Sequence, residues 1–345
     1  MAGAGGGRPR AIPAQPVACR VPTRICDLGG WTDTWFARHG AVCHLAVWPG
    51  IEVEVARLGG PSGVDVHVGA FDRTWTWHPR GEPTDFPDPL LAATLDEACP
   101  PADTRLSLTV RAGVPPGASM GTSASTCVAV LTAIDAWQGV TRPVETQVRR
   151  AHHVETGRLG WQSGVQDQWA AAPGAAHLIE MSAYPEATCR AIPLPAGVTA
   201  ALNDTLLVVW LGRGHLSTAV HEWVVDALRT SGPDDRRLAA LRQVALDGAQ
   251  ALAAGDLEAY GQCLVANTAW QRALHPALVG DDAARVIAQA TAAGARGWKV
   301  NGAGGDGGTV TVLCRDAAQR ETLAGVVCRT LPGARVLPVE LMPSA

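Results

Sequence analysis

The chain contains no apolar run of roughly 18 residues, the minimum for a membrane-spanning helix, so no transmembrane segment is expected. It has no excess of positive charge: 28 Lys and Arg stand against 32 Asp and Glu, a net charge of −4. A chain of this balance offers no electrostatic footprint for nucleic acid or an anionic membrane. Its nine cysteines include no C-x-x-C pair. Their odd number, with no secretory signal, points to reduced thiols in the cytoplasm, most of them buried as small apolar side chains. The ten histidines show no metal-ligand spacing, and His152 and His153, being adjacent, point apart on a helix. Residues 1–16 are rich in Gly, Pro and Ala and read as a flexible tail. With 345 residues, 47% hydrophobic and 17% charged, the chain is globular and slightly charge-poor, and long enough for two domains or lobes.

Two nucleotide-binding signatures are also missing. No Lys follows the Gly-rich run near the middle of the chain, so there is no Walker A loop, and Ser119 stands where the second Gly of G-x-G-x-x-G would fall. What is present is the run from Val114 to Thr126 (VPPGASMGTSAST), between a strand expected at Arg105 to Arg111 and a helix expected at Ser123 to Trp137. Backbone N–H groups at such a helix start lack intrahelical acceptors, and the helix dipole favours an anion there. The run fits a phosphate loop, and it equally fits an ordinary turn with a Ser or Thr N-cap.

Around this loop the pattern is mixed. Alternating apolar and polar residues predict strands at Ile51–Val55, Val64–Val68 and Thr74–Trp77. Further strands are expected at Ala176–Met181, Thr188–Ile192, Thr205–Leu211, Gly297–Asn301, Thr309–Leu313 and Val336–Glu340. Helices are expected at Pro89–Ala98, Pro143–Glu155, Val165–Ala172, Leu216–Leu228, Asp235–Ala253, Leu257–Leu274, Asp281–Ala293 and Ala317–Arg329. Strand runs followed by helix runs indicate α+β rather than regular βαβ winding. The Pro/Ala/Gly stretch from Pro193 to Gly197 suggests a crossing between domains over 17–195 and 196–345.

Three more stretches concentrate chemistry. In Glu155 to Gln168 two acids flank a Gly/Ser turn. Glu155, at a helix end, suits a cation such as Mg²⁺ together with a loop hydroxyl from Ser123 or Thr122. Asp167, at a helix start, suits acceptance of a hydroxyl proton. A solvated helix end and an N-terminal helix carboxylate are the plainer alternatives. Between Gly302 and Gly308, five glycines join two strands, which suits close approach of a backbone or ligand, or a flexible hairpin tip. From Arg20 to Thr34, Arg24, Asp27, Trp31 and Asp33 surround Gly29–Gly30. Carboxylates and an aromatic face suit a polyhydroxylated ligand, and a capped turn with a core Trp fits as well.

Taken in order, these stretches resemble the GHMP small-molecule kinases. Pro115 to Ser125 is similar to P-x-G-x-G-L-G-S-S-A-A, Glu155 to Gln168 to E…G…SG-x-x-D-Q, and Lys299 with Gly302 to Gly308 to K-x-x-G-A-G-G-G-G. Arg24 to Asp33 resembles the sugar-kinase opening, closest in its Gly-Gly-Trp-Thr-Asp to fucokinases and heptose-phosphate kinases. The resemblance implies a two-lobed α+β GHMP fold with its active site between the lobes. It implies ATP held by Pro116, Gly117, Ala118, Ser119, Met120, Gly121, Thr122 and Ser123, and Mg²⁺ held by Ser123 and Glu155. Asp167 would be the base, with Arg24 beside it. Asp27, Gly30, Trp31, Asp33, Gly304, Gly305, Asp306 and His215 would meet the acceptor, a sugar, sugar phosphate or cyclitol phosphate. Transfer to an anomeric, C1-type hydroxyl follows from the same resemblance. Mevalonate-type phosphorylation and a non-catalytic binder on the same fold are the alternatives. Three departures stand out: Ser119 and Asp306 replace glycines, and Gly30–Trp31 replaces the Glu and His of galactokinases. Arg213, Ser217, Gln271, Arg272 and His275 are further candidates for the acceptor side.

Overall fold

A computed structural model of the chain describes residues 15–69, 73–79, 86–214 and 217–343. The tail expected over 1–16 lies outside these, except Gln15 and Pro16, and so does His215. The first half forms β1 (Val17–Leu28), β2 (Gly40–Leu58), β3 (Gly63–Val68), β4 (Arg73–Trp77), α1 (Pro89–Ala98), β5 (Arg105–Ala112), α2 (Thr122–Trp137), α3 (Val144–His153), β6 (Ala176–Ala183) and β7 (Glu186–Ala191). The second half forms α4 (Val198–Thr205), β8 (Leu206–Trp210), α5 (Ser217–Leu228), α6 (Arg236–Ala254), α7 (Leu257–Leu274), α8 (Asp281–Ala292), β9 (Gly297–Val300), β10 (Thr309–Leu313), α9 (Ala317–Thr330), β11 (Arg335–Leu337) and β12 (Glu340–Leu341).

Eight strands make one sheet in the order β4-β3-β5-β2-β6-β7, with β1 and β12 also paired to β2. Among the described residues, only β3 and β5 run parallel in it. The other sheet is antiparallel, β11-β8-β10-β9. Cores form where the apolar strand faces meet helices. Val53, Val55, Leu106 and Leu108 pack with Val128, Leu131 and Ile134 of α2, and Val209, Val310 and Val312 pack with Val286 of α8 and Val327 of α9. This is the α+β architecture the sequence implied.

Four departures from the expected elements are informative. No strand was expected over Arg20–Thr34, yet its first part is β1, whose inner end from Val21 to Leu28 is buried throughout and so shows no two-residue alternation. β2 is 19 residues long, and only its alternating stretch around Ile51–Val55 was visible. The helix α4 was missed, and the strand expected from Thr205 begins at Leu206. The strand expected over Val336–Glu340 is broken by Pro338: β11 joins β8, whereas β12 joins β2 of the other sheet. All nine cysteines are free, but only Cys26, Cys43, Cys127 and Cys314 are fully buried.

Candidate active site

The glycine-rich turn between β5 and α2 owes its shape to left-handed backbone at Gly117 (φ 71°), Ser119 (φ 58°) and Gly121 (φ 72°). Ser119 therefore occupies a conformation that favours glycine. It is held there by its neighbours: its carbonyl accepts from Arg24 Nη1 at 2.6 Å, and a Cβ on Gly308 would lie 2.4 Å from its Oγ. The start of α2 has Gly121 at its N-cap and no side-chain cap. By contrast Asp88, Asp235, Asp256 and Asp316 cap α1, α6, α7 and α9. The Ser or Thr cap of the plainer sequence reading is thus absent. Thr122 Oγ1 is buried without a hydrogen-bond partner, so the first N–H groups of α2 and one hydroxyl remain available to an anion.

Glu155 does not end α3 but sits in the π-helical turn Val154–Arg158 that follows it. It is 5% exposed. Its Oε2 accepts from Ser163 Oγ at 2.9 Å and from Gln168 Nε2 at 2.7 Å. Burial raises its pKa to about 7; these two hydrogen bonds oppose the rise and the nearby Asp167 charge adds to it. Asp167 opens a 3₁₀ turn, Asp167–Ala171. Arg24, within β1, donates to Asp167 Oδ1 from Nε at 2.9 Å and lies 2.8 Å from it through Nη2. A Cβ on Gly121 would lie 3.3 Å from the Asp167 side chain, so the turn and the carboxylate are in close contact.

A buried polar strut ties β1 to the second sheet. Asp27 is fully buried, and its Oδ1 accepts from Gly302 N at 3.0 Å and lies 3.6 Å from Lys299 Nζ and 3.8 Å from Arg24 Nη1. Gln271 Oε1 accepts from Lys299 Nζ at 3.2 Å, and Gln271 Nε2 donates to Gly302 O. Burial lowers the Lys299 pKa, with the Asp27 charge opposing. Asn301 Oδ1 accepts from Cys26 N at 3.0 Å, and Thr309 Oγ1 donates to Ala118 O at 2.8 Å. The glycine-rich connection of β9 and β10 is thereby pressed against the turn before α2. A Cβ on Gly302 would meet Ser119 O at 3.0 Å, which explains the glycine.

Arg24, Asp33, Gly117 to Ser123, Glu155 and Asp167 line one cavity of about 610 Å³, together with Trp31, Thr34, 160–164, Gln166, His221, Gly302 and Ala303. Residues far apart in sequence therefore meet between the two halves of the chain. Asp33 is buried; its Oδ2 accepts from Gln166 N at 3.1 Å, and burial raises its pKa to about 6. Three residues of the cavity lining keep buried polar atoms without partners: Trp31 Nε1, Thr122 Oγ1 and Gln166 Oε1. Such atoms are costly unless something bonds to them.

Other expected site residues stand apart from the cavity wall. Asp27 is a buried support, Gly30 packs against it (a Cβ there would lie 2.8 Å from Asp27 Oδ2), and Pro116, Gly304, Gly305 and Asp306 do not line the cavity. Asp306 is three-quarters exposed, and Arg213 Nη2 lies 2.8 Å from Asp282 and 3.8 Å from Asp306. Of the further candidates, Gln271 supports the glycine loop, and His275 stacks on Trp223 at 5.2 Å. Sequence reasoning missed Ser163, Gln166 and Gln168, which lay inside a motif already singled out. It also missed His221, for which helical spacing alone gave no signal.

Residues 90–175, which span α1 to the edge of β6, match the model of the GHMP kinases N terminal domain. The chain has a GHMP kinase N-terminal domain in a GHMP kinase fold. Solved kinase structures align along nearly the whole chain. A D-glycero-D-manno-heptose 1-phosphate kinase from Bacteriodes thetaiotaomicron is 17% identical, with a TM-score of 0.74 over 95% of this chain and 97% of that one. A galactokinase from Lactococcus lactis, complexed with galactose, is 16% identical, with a TM-score of 0.74 over 96% and 94%. A mevalonate kinase from Methanococcus jannaschii is 15% identical, with a TM-score of 0.75 over 97% and 100%. No curated protein matches the chain by sequence. Among the described residues, no helix is long and apolar enough to cross a membrane.

Proposed function

We propose that this chain is an ATP-dependent kinase that transfers the γ-phosphoryl group to a hydroxyl of a sugar-like acceptor: a sugar, a sugar phosphate or a cyclitol phosphate. The C1-type hydroxyl is the favoured position, and residues 17–195 and 196–345 are the two lobes. The observation that carries the reading is the meeting of Gly117 to Ser123, Glu155, Asp167 and Arg24 around one cavity. The Gly-Gly-Trp-Thr-Asp opening at Gly29 to Asp33 supports a sugar-type acceptor over mevalonate.

In this reading the N–H groups at the start of α2 and the Thr122 hydroxyl receive the triphosphate. The residues suit a Mg²⁺ ion. Among the described residues Glu155 is a buried carboxylate in no ion pair, and Ser123 lines the same cavity. One carboxylate with a hydroxyl is the sparse protein contribution that Mg²⁺ takes when phosphates and water complete its shell. Bound there, it would neutralise phosphate charge. Asp167 takes the acceptor hydroxyl proton as the new O–P bond forms and the bond to the departing ADP oxygen breaks. Both Arg24 contacts fall on Asp167 Oδ1, which leaves Oδ2 for that proton. Arg24 fixes the carboxylate and adds positive charge near the transferring group. Phosphoryl transfer depends mostly on such positioning and charge stabilisation.

The test is ATP turnover across a panel of sugars, cyclitols, their phosphates and mevalonate, with Asp167→Asn as the paired variant. The expected result is turnover of a sugar-type acceptor, reduced about 10²-fold or more in kcat by Asp167→Asn with KM for ATP little changed. Turnover untouched by Asp167→Asn would remove the base assignment. Nucleotide binding with no turnover on any acceptor would favour the non-catalytic binder.

A further inference from the structure

The charge on the cavity wall narrows the acceptor further. Its described lining holds three carboxylates, Asp33, Glu155 and Asp167, and Arg24 as its one Lys or Arg. Arg24 is 4% exposed at its side chain and already faces Asp167 at 2.8 Å and Asp27 at 3.8 Å. The other nearby cations are engaged elsewhere. Lys299 is buried against Asp27 and Gln271. Arg213 is turned to Asp282 and Asp306, off the cavity wall. An acceptor that brought its own phosphate or carboxylate would bury a charge beside Asp33 and Asp167 with no Lys or Arg among the described residues left to pair it, an arrangement that costs far more than a hydroxyl does.

The same wall suits hydroxyls. Trp31 is 5% exposed, lines the cavity and keeps a buried Nε1–H without a partner, a donor for a hydroxyl oxygen. Asp33 supplies an acceptor two residues on. His221 comes from α5, in the other half of the chain, and reaches the same place. Its ring lies edge-on to Trp31 at 5.1 Å and to Trp35 at 5.7 Å, and it too lines the cavity. We propose, resting on the kinase reading for where transfer occurs, that the acceptor is an uncharged polyol and that His221 acts with Trp31 and Asp33 as a specificity-determining residue for it.

The test is calorimetric titration of the full chain, with and without Mg²⁺ and the non-hydrolysable nucleotide AMPPNP. The titrants are matched pairs, a neutral hexose, pentose or inositol and its monophosphate, with mevalonate as a carboxylate probe. At least one neutral polyol is expected to bind at least about tenfold more tightly than its monophosphate. His221→Ala and Trp31→Phe, checked for native circular dichroism, are expected to weaken that polyol about tenfold while leaving AMPPNP affinity within about twofold. His221→Arg, which supplies the absent cation, is expected to tighten the monophosphate. A monophosphate or mevalonate that binds as well as the best neutral polyol overturns the proposal, as does a panel in which AMPPNP binds and no neutral polyol does. Unchanged polyol affinity in His221→Ala removes His221 from it. Failure of AMPPNP to bind would instead overturn the kinase reading, and the polyol titrations would still decide the charge of the ligand.

Discussion

At the scale of single residues, Glu155 links the cavity to pH. Its pKa is raised from 4.5 to about 7, chiefly by burial. A carboxyl group shifted upward stabilises the fold fully below its unfolded pKa and loses that contribution as pH rises through the folded value. Glu155→Gln should therefore stabilise the unliganded protein at about pH 8 by roughly 1–3 kcal/mol, and by little at about pH 4. Urea unfolding of both proteins at the two pH values checks this, and an equal effect at both would refute it. The Asp27–Lys299 pair gives a second case. Lys299→Met takes the nearer of two cations from a fully buried carboxylate and should cost about 3–5 kcal/mol, whereas Lys299→Met with Asp27→Leu should recover part of that loss. Turnover should stay low in the double variant, because Gly302 N loses its acceptor. A double variant no more stable than Lys299→Met alone would refute that recovery. Arg24, Glu155, Asp167 and the turn before α2 were legible in sequence because each lies in a short motif. The part played by Asp27 was not: its carboxylate answers to Gly302 and Lys299, across the whole length of the chain, and nothing near Asp27 reports that partner.

At the scale of elements, the long strand β2 shows what periodicity hides. Its outer part alternates and was visible, while Ala41 to Val47 is buried on both faces and reads as neither strand nor helix. That buried part holds His44, whose register partner on β6 is His177. The rings meet edge-on at 5.3 Å, and both His44 nitrogens lack partners. Burial, then the neighbouring His177, lowers the His44 pKa well below 6.5. A depressed histidine leaves stability intact above its unfolded pKa and erodes it as pH falls below about 6.5, because the unfolded chain takes up the proton first. His44→Leu removes two unsatisfied nitrogens as well as that proton site. Thermal unfolding between about pH 5 and pH 8 should show the variant's Tm falling less than the wild type's toward acid. Parallel curves would rule out His44 as a source of acid sensitivity.

At the scale of the whole molecule, the cavity is lined by residues from both halves of the chain, and β12 helps to tie those halves together. After β11 completes the second sheet, Pro338 breaks the strand and β12 crosses to β2, pairing Glu340 with Trp48 and Leu341 with Val47. Leu341 N donates to Asn203 Oδ1 at 2.8 Å, Met342 N donates to Ala46 O at 3.0 Å, and the Leu341 side chain is buried in the largest core. Val47 and Ala46 are the β2 partners of Thr23 and Arg24 on its other edge. The residues around β12 thus brace β2, the strand paired with the one that carries the arginine of the site. A sequence pattern could show an apolar run near Val336, but not that a proline hands half of it to a different sheet, since that choice is made by an edge of β2 nearly three hundred residues earlier. Leu341→Ala removes a buried side chain from this tie and should lower the unfolding free energy by about 2–4 kcal/mol. Because the bracing reaches Arg24 through β2, kcat should fall as well, while the circular dichroism of the folded protein stays unchanged. A variant that loses stability and keeps full kcat would mean that β12 holds the sheets together without setting the geometry of the site.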